Sequence, residues 1–95
     1  MIKKIIVLGG SSGIGKAVAQ RFAKEGWQVL VAAHNLSECI ASVKELNGED
    51  HIACHLDVRK DEDLVRLQQL VEENFSNFDS LVNTIGISQS HPAIN

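Results

Sequence analysis

Residues 7–23, VLGGSSGIGKAVAQRFA, place four glycines and two serines between an apolar run and an amphipathic one. Glycine tolerates positive φ and lets the backbone approach a ligand that a Cβ would hold off. A helix starting there would aim its unpaired N–H groups and the positive end of its dipole at the same point. These residue types suit an anion, a phosphate above all. A plain flexible turn is the alternative, and four glycines at one junction favour the phosphate reading. Two spacings compete. GSSGIGKA, residues 10–17, approaches the loop G-x-x-x-x-G-K-[ST], but Ala17 lacks the hydroxyl that would hold magnesium. The pattern G-x-G-x-x-G, read from Gly13, meets Gly15 and then Val18 where its last glycine should stand.

Hydrophobic period locates the elements that must hold this turn. Residues 5–8 are a continuous apolar run ended by glycine, as in a strand buried on both faces. Ile14, Ala17, Val18 and Phe22 follow at helical spacing, and Gly26 stands where a C-capping glycine would. Residues 29–33 read as a second strand. Leu36, Ile40 and Val43 mark a second helix that starts near Ser37 and is ended by Asn47-Gly48. Residues 51–56 make a third, more polar strand, and Leu64, Leu67, Val71 and Phe75 mark a third helix. Leu81-Val82 begin a fourth strand running into Asn83-Thr84-Ile85-Gly86. Strands joined by helices call for parallel pairing with right-handed crossovers. The expected fold is therefore α/β, a Rossmann-like three-layer half-domain over residues 1–95. Its parallel sheet of four strands would run in the order 3-2-1-4, with three helices. Such a sheet reverses its direction of growth between strands 1 and 4, and the glycine turn lies at that ligand-binding switch point.

A chain of 95 residues makes one small domain at most. With 44% hydrophobic residues and a single proline it should form a lean core rather than a disordered coil. The net charge of −3 divides unevenly, as residues 1–26 hold five basic residues against one acidic. That field favours an anion near the N-terminal part. An acidic chain with no arginine-rich face or aromatic platform excludes a nucleic-acid binder. Cys39 and Cys54 lack the spacing of a metal site or a disulfide framework, so buried thiols and no metal are expected. The apolar run before Gly9 is too short for a signal sequence or a membrane span. A cytoplasmic protein without membrane contacts is the expectation.

The run Leu8-Gly9-Gly10-Ser11-Ser12-Gly13-Ile14-Gly15 resembles the T-G-x-x-x-G-x-G signature of the short-chain dehydrogenase/reductase family. HLDV, residues 55–58, is similar to that family's D-V step after strand 3, and LVNTIGI, residues 81–87, to its L-V-N-N-A-G-I after strand 4. The resemblance covers essentially the whole chain but well under half of the family's fold. It implies a truncated, N-terminal cofactor-binding part. By resemblance, Gly9, Gly13 and Gly15 line the pyrophosphate turn, while Ser11 and Ser12 offer hydroxyl and N–H donors. Ile14 lies near the nicotinamide, Asp57 and Val58 hold the adenine, and Asn83 and Gly86 lie under the adenosine ribose. Taken alone, Asp57 would read as a strand-end turn residue and Asn83 as an amide satisfying its own backbone. Members preferring NAD carry an acidic residue at the end of strand 2. This chain has Ala33, His34 and Asn35 there, with no carboxylate to repel a 2′-phosphate. NADP(H) is therefore favoured over NAD(H), with His34 and Asn35 beside it.

Leu8 stands where the signature has threonine, Thr84 where it has the second asparagine, and Ile85 where it has a small alanine. In the family that threonine hydroxyl helps tie strand 1 to the strand 4 motif, so both ends of one link are changed. The family's acid/base pair, Y-x-x-x-K, lies beyond strand 4, and this chain contains no tyrosine. Ser88, Ser90 and His91 have no spacing that supports a triad. The implied function is the NAD(P)(H)-binding part of an oxidoreductase that moves hydride between a nicotinamide and a carbonyl or alcohol, with no catalytic residue in this stretch. A non-catalytic nucleotide-binding or interaction module is the alternative. Strand 4 becomes an edge in such a half sheet, so marginal stability or self-association through that edge is expected.

Overall fold

The computed structural model describes residues 2–11 and 13–85, so Ser12, Gly86, Ser88, Ser90 and His91 lie outside the described residues. The elements alternate as β1 (Lys4–Leu8), α1 (Gly13–Lys24), β2 (Gln28–Ala33), α2 (Leu36–Lys44), β3 (Ile52–His55), α3 (Asp61–Asn74) and β4 (Ser80–Asn83). The sheet runs β3-β2-β1-β4 with every pair parallel, in agreement with the expected order. In the central register Val7 lies between Val31 of β2 and Val82 of β4.

Alternate strand residues point to opposite faces, and both faces are covered. Ile5, Val7, Val29, Val31 and Ala33 pack with Ala19 and Ala23 of α1 and Cys39 of α2. Ile6, Leu30, Ala32 and Cys54 face the other way, against Leu56, Phe75 and the Leu67, Leu70 and Val71 side of α3. This double burial explains why residues 5–8 and 29–33 read as unbroken apolar runs. Both cysteines are free and buried, and burial pushes their thiols up from the ordinary range.

The helices roll differently from the expected stripes. α1 buries Gly15, Ala19 and Ala23, whereas Ile14 is 48% exposed and Ala17 is also exposed. The reason is clearance, since a Cβ on Gly15 would run into the Gly9 carbonyl. The helix can approach only on its small-residue side, and Val18 and Phe22 then flank the contact as half-buried neighbours. α2 starts one residue earlier than Ser37, because the Asn35 side chain accepts the Glu38 N–H at 3.1 Å and caps the helix. It ends at Lys44, short of Asn47-Gly48, and turns Cys39 and Ser42 inward while Leu36 and Ile40 stay exposed. In α3 Leu64 is exposed and Asp63 is buried. Three acidic residues, Asp61, Glu62 and Asp63, occupy its first turn and complement the helix dipole.

Within the described residues β3 and β4 are the sheet edges. Leu81 on β4 is 50% exposed. No helix of the described residues is long and apolar enough to cross a membrane.

The two candidate stripes of α1 are separable by substitution. Ala19→Leu should lower stability by about 1–3 kcal/mol through overpacking, while Ile14→Ala should stay within about 0.5 kcal/mol of the parent. Urea unfolding measures both, and the reverse ranking would refute the observed roll of the helix.

Candidate functional site

The chain leaves β1 through Gly9, whose φ of +88° is open to glycine at little cost. The Gly9 N–H donates to the Ala32 carbonyl at 2.6 Å, fastening the turn to β2. From the other side Thr84, immediately after β4, donates to the Leu8 carbonyl twice, through its N–H at 2.8 Å and its hydroxyl at 2.9 Å. Thr84 is only 3% exposed. A Cβ on Gly9 would lie 2.8 Å from that hydroxyl oxygen, so the turn, the start of α1 and the end of β4 converge on it. A hydroxyl link between β1 and β4 is thus present, supplied from position 84, while position 8 contributes only its carbonyl. α2 braces the turn as well, since the Ser42 hydroxyl donates to the Ser11 carbonyl at 3.2 Å. Lys16 forms an ion pair with Glu45 at 3.3 Å, so this part of the N-terminal positive charge is answered by the protein itself.

These contacts leave a cleft of about 430 Å³ across the carboxyl ends of the strands, a size ordinary for a small-molecule site. Gly9 and Ser11 line it after β1, His34 after β2, Asp57 and Val58 after β3, and Thr84 and Ile85 after β4. Ala33, Leu56 and Val58 give the cleft an apolar wall beside the Asp57 carboxylate, a slot with one acceptor that fits a heteroaromatic base with one exocyclic amine.

Asp57 is 5% exposed and densely bonded. Its Oδ1 accepts the Arg59 N–H and Nε, each at 3.0 Å, and its Oδ2 accepts Arg59 Nη2 at 3.0 Å. These bonds from Arg59, first through its side chain and then its backbone, hold the Asp57 carboxyl far below the usual carboxylate range. The Asp57 N–H in turn donates to Asp63 Oδ2 at 3.0 Å. That bond is the main reason Asp63 is also lowered, with Arg66 and His55, whose Nδ1 lies 3.3 Å away, adding to it. A carboxylate from the first turn of α3 therefore fixes the backbone at the residue whose side chain enters the cleft.

The structure brings Gly9, Ser11, His34, Asn35, Asp57 and Val58 to one cleft. Gly13, Ile14 and Gly15 lie in the first turn of α1, outside the lining, with Gly15 buried against Gly9. Asn35 spends its side-chain oxygen on the α2 cap, and Asn83 Oδ1 accepts the Ile85 N–H at 2.9 Å in a local turn. β2 ends without a carboxylate, and the cleft also receives Glu38, which the Asn35 cap puts in the first turn of α2. Arg59 and Asp63 were also missed. Their signals were weak but present: an arginine two residues after Asp57, and an acidic triplet opening α3.

A family model described as short chain dehydrogenase matches residues 3–95. The chain is 37% identical over 91 residues to a 3-oxoacyl-[acyl-carrier-protein] reductase of Bos taurus, covering 96% of this chain and 38% of that protein. It is 39% identical over 89 residues to a protein of the same name from Homo sapiens, covering 94% and 37%. Among solved structures, a short chain dehydrogenase from Bacillus anthracis superposes with a TM-score of 0.75 at 32% identity, over 83% of this chain and 34% of that one. The chain thus spans little more than a third of the length of these relatives.

Two measurements probe the site's framework. Thr84→Val keeps the shape but removes the hydroxyl bond to Leu8, and should cost about 1 kcal/mol in urea unfolding; no loss would mean the hydroxyl is idle. Asp57 and Asp63 carry lowered native pKa values, so their contribution is complete above the usual carboxylate range and disappears as pH falls through the lowered values. Asp63→Asn should therefore be less stable near neutral pH and converge on the parent in acid. Stability curves that stay parallel into acid would contradict this.

Proposed function

Because the chain belongs to the short-chain dehydrogenase family, we propose that it forms, as one domain, the nicotinamide-dinucleotide-binding part of an oxidoreductase, taking NADP(H) in preference to NAD(H). The observation that carries the reading is the turn from Gly9 to Gly15. It sits at the carboxyl end of a parallel sheet, at the start of α1 and at the β1/β4 switch point, with a cleft running from it to Asp57. The turn and helix start would take the diphosphate through main-chain N–H groups, with Ser11 and Ser12 adding donors. Ile14 would lie towards the nicotinamide, and Asn83 and Gly86 beneath the adenosine ribose.

Ala33, Leu56 and Val58 would sandwich the adenine, and Asp57, kept ionised by Arg59, would accept a hydrogen bond from its amine. A bound nicotinamide dinucleotide supplies hydride chemistry, and this chain's residues bind and orient it. The reductase names of the two mammalian relatives support a carbonyl substrate. With no tyrosine here, the acid/base group of the family's mechanism has to come from outside this stretch. We place the protein in the cytoplasm and assign the β4 edge to pairing with another strand, a second copy included.

Titration of the purified chain with NADPH, NADH and ATP tests the reading. Both dinucleotides should bind, NADPH more tightly, and ATP should show no magnesium-dependent binding because Ala17 lacks the hydroxyl. Indifference to all three would remove the proposal. Steady carbonyl reduction by these 95 residues alone would show that the acid/base group has been misplaced.

A further inference from the structure

Arg59 is the most exposed charged group tied to the cleft's buried carboxylate, and the glycine turn gives no account of it. Its side chain is 76% exposed, although Nε and Nη2 are both committed to Asp57. A guanidinium carries five N–H donors. The Asp57 clamp occupies one edge and orients the rest outward, in a planar fork suited to a phosphate. His34 Nε2 lies 3.9 Å from the same Asp57 Oδ2, so β2 and the β3–α3 loop bring two nitrogen donors to one point of the cleft mouth. That point adjoins the end of β2, where dinucleotide sites of this topology read the ribose 2′ substituent. Ala33 ends β2 without a carboxylate, and the acid that does reach the cleft, Glu38, comes from α2. Asp57 is itself neutralised by Arg59, so it does not oppose a second anion alone.

We infer that Arg59, held in place by Asp57, is the residue that distinguishes a 2′-phosphorylated adenosine from an unphosphorylated one, with His34 as its second donor. The inference rests on the dinucleotide reading and deepens it. Asp57 then has two tasks, to present one oxygen to the base and to preorganise the guanidinium. An arginine fixed before binding loses less side-chain freedom when the phosphate arrives.

Adenosine 5′-monophosphate and adenosine 2′,5′-bisphosphate differ only in the 2′-phosphate, and calorimetric titration of each against the purified chain isolates that group. The parent should prefer the bisphosphate by about tenfold or more, the scale of one charge-assisted bidentate contact. Arg59→Gln should bring the ratio of the two affinities close to one. Both affinities can fall in that variant through loss of the Asp57 clamp, so the ratio is the readout. Arg59→Lys, which keeps the charge and loses the fork, should give an intermediate ratio. A ratio unchanged in Arg59→Gln, or abolished by His34→Ala while Arg59→Gln keeps it, overturns the inference. A parent that binds both nucleotides equally overturns it together with the NADP(H) preference, and leaves dinucleotide binding itself standing. A parent that binds neither overturns both.

Discussion

A single buried hydroxyl organises the cleft. Thr84 donates to the Leu8 carbonyl through both its N–H and its side chain, so the end of β4 is locked to the end of β1 at the point where β1 turns into Gly9. The space around that oxygen leaves no room for a Cβ on Gly9 or Gly15. Glycine at these two places is therefore a steric requirement as well as a conformational one. The start of α1 is pressed down onto the turn, and the helix then has to lean on the sheet through Ala19 and Ala23 instead of its larger apolar residues.

The far end of the cleft is held by charge rather than by close packing. Asp63, at the start of α3, takes the Asp57 N–H, and Arg59 takes the Asp57 carboxylate. Asp57 is lowered mainly by the Arg59 side chain of its own loop and Asp63 mainly by the Asp57 N–H, so both stay ionised over the whole neutral range. The result couples three pieces of chain, the end of β3, the loop after it and the first turn of α3. Apolar residues fill the layers below, while ionic groups gather where the strands end, which is where a charged ligand would need them.

Among the described residues the sheet is covered above and below but open at its sides. Small domains bury a modest share of their surface, and here the exposed large apolar residues are spread over several elements, Leu81 on β4 among them. β4 nevertheless supplies Thr84, so the element with least support on its outer side carries the contact on which the turn relies. Any strand that paired with β4 would therefore steady the cleft from a distance.

Sequence alone determined the alternation of strands and helices, their parallel order and the place of the glycine turn, because period, chain length and right-handed crossovers leave few arrangements. The family's motifs were equally legible, since they are contiguous in the chain. Tertiary structure decided which face each helix buries: apolar spacing selects Ile14, Leu36 and Leu64, but clearance at Gly15, the Asn35 cap and the bonding of Asp63 select other faces. It also decided what the polar residues do. The Leu8 and Thr84 departures read as two separate losses along the chain, and only folding across 76 residues brings them together in one hydrogen bond. Side-chain types are local and can be read in order, whereas a hydrogen bond belongs to a distance that no linear spacing encodes.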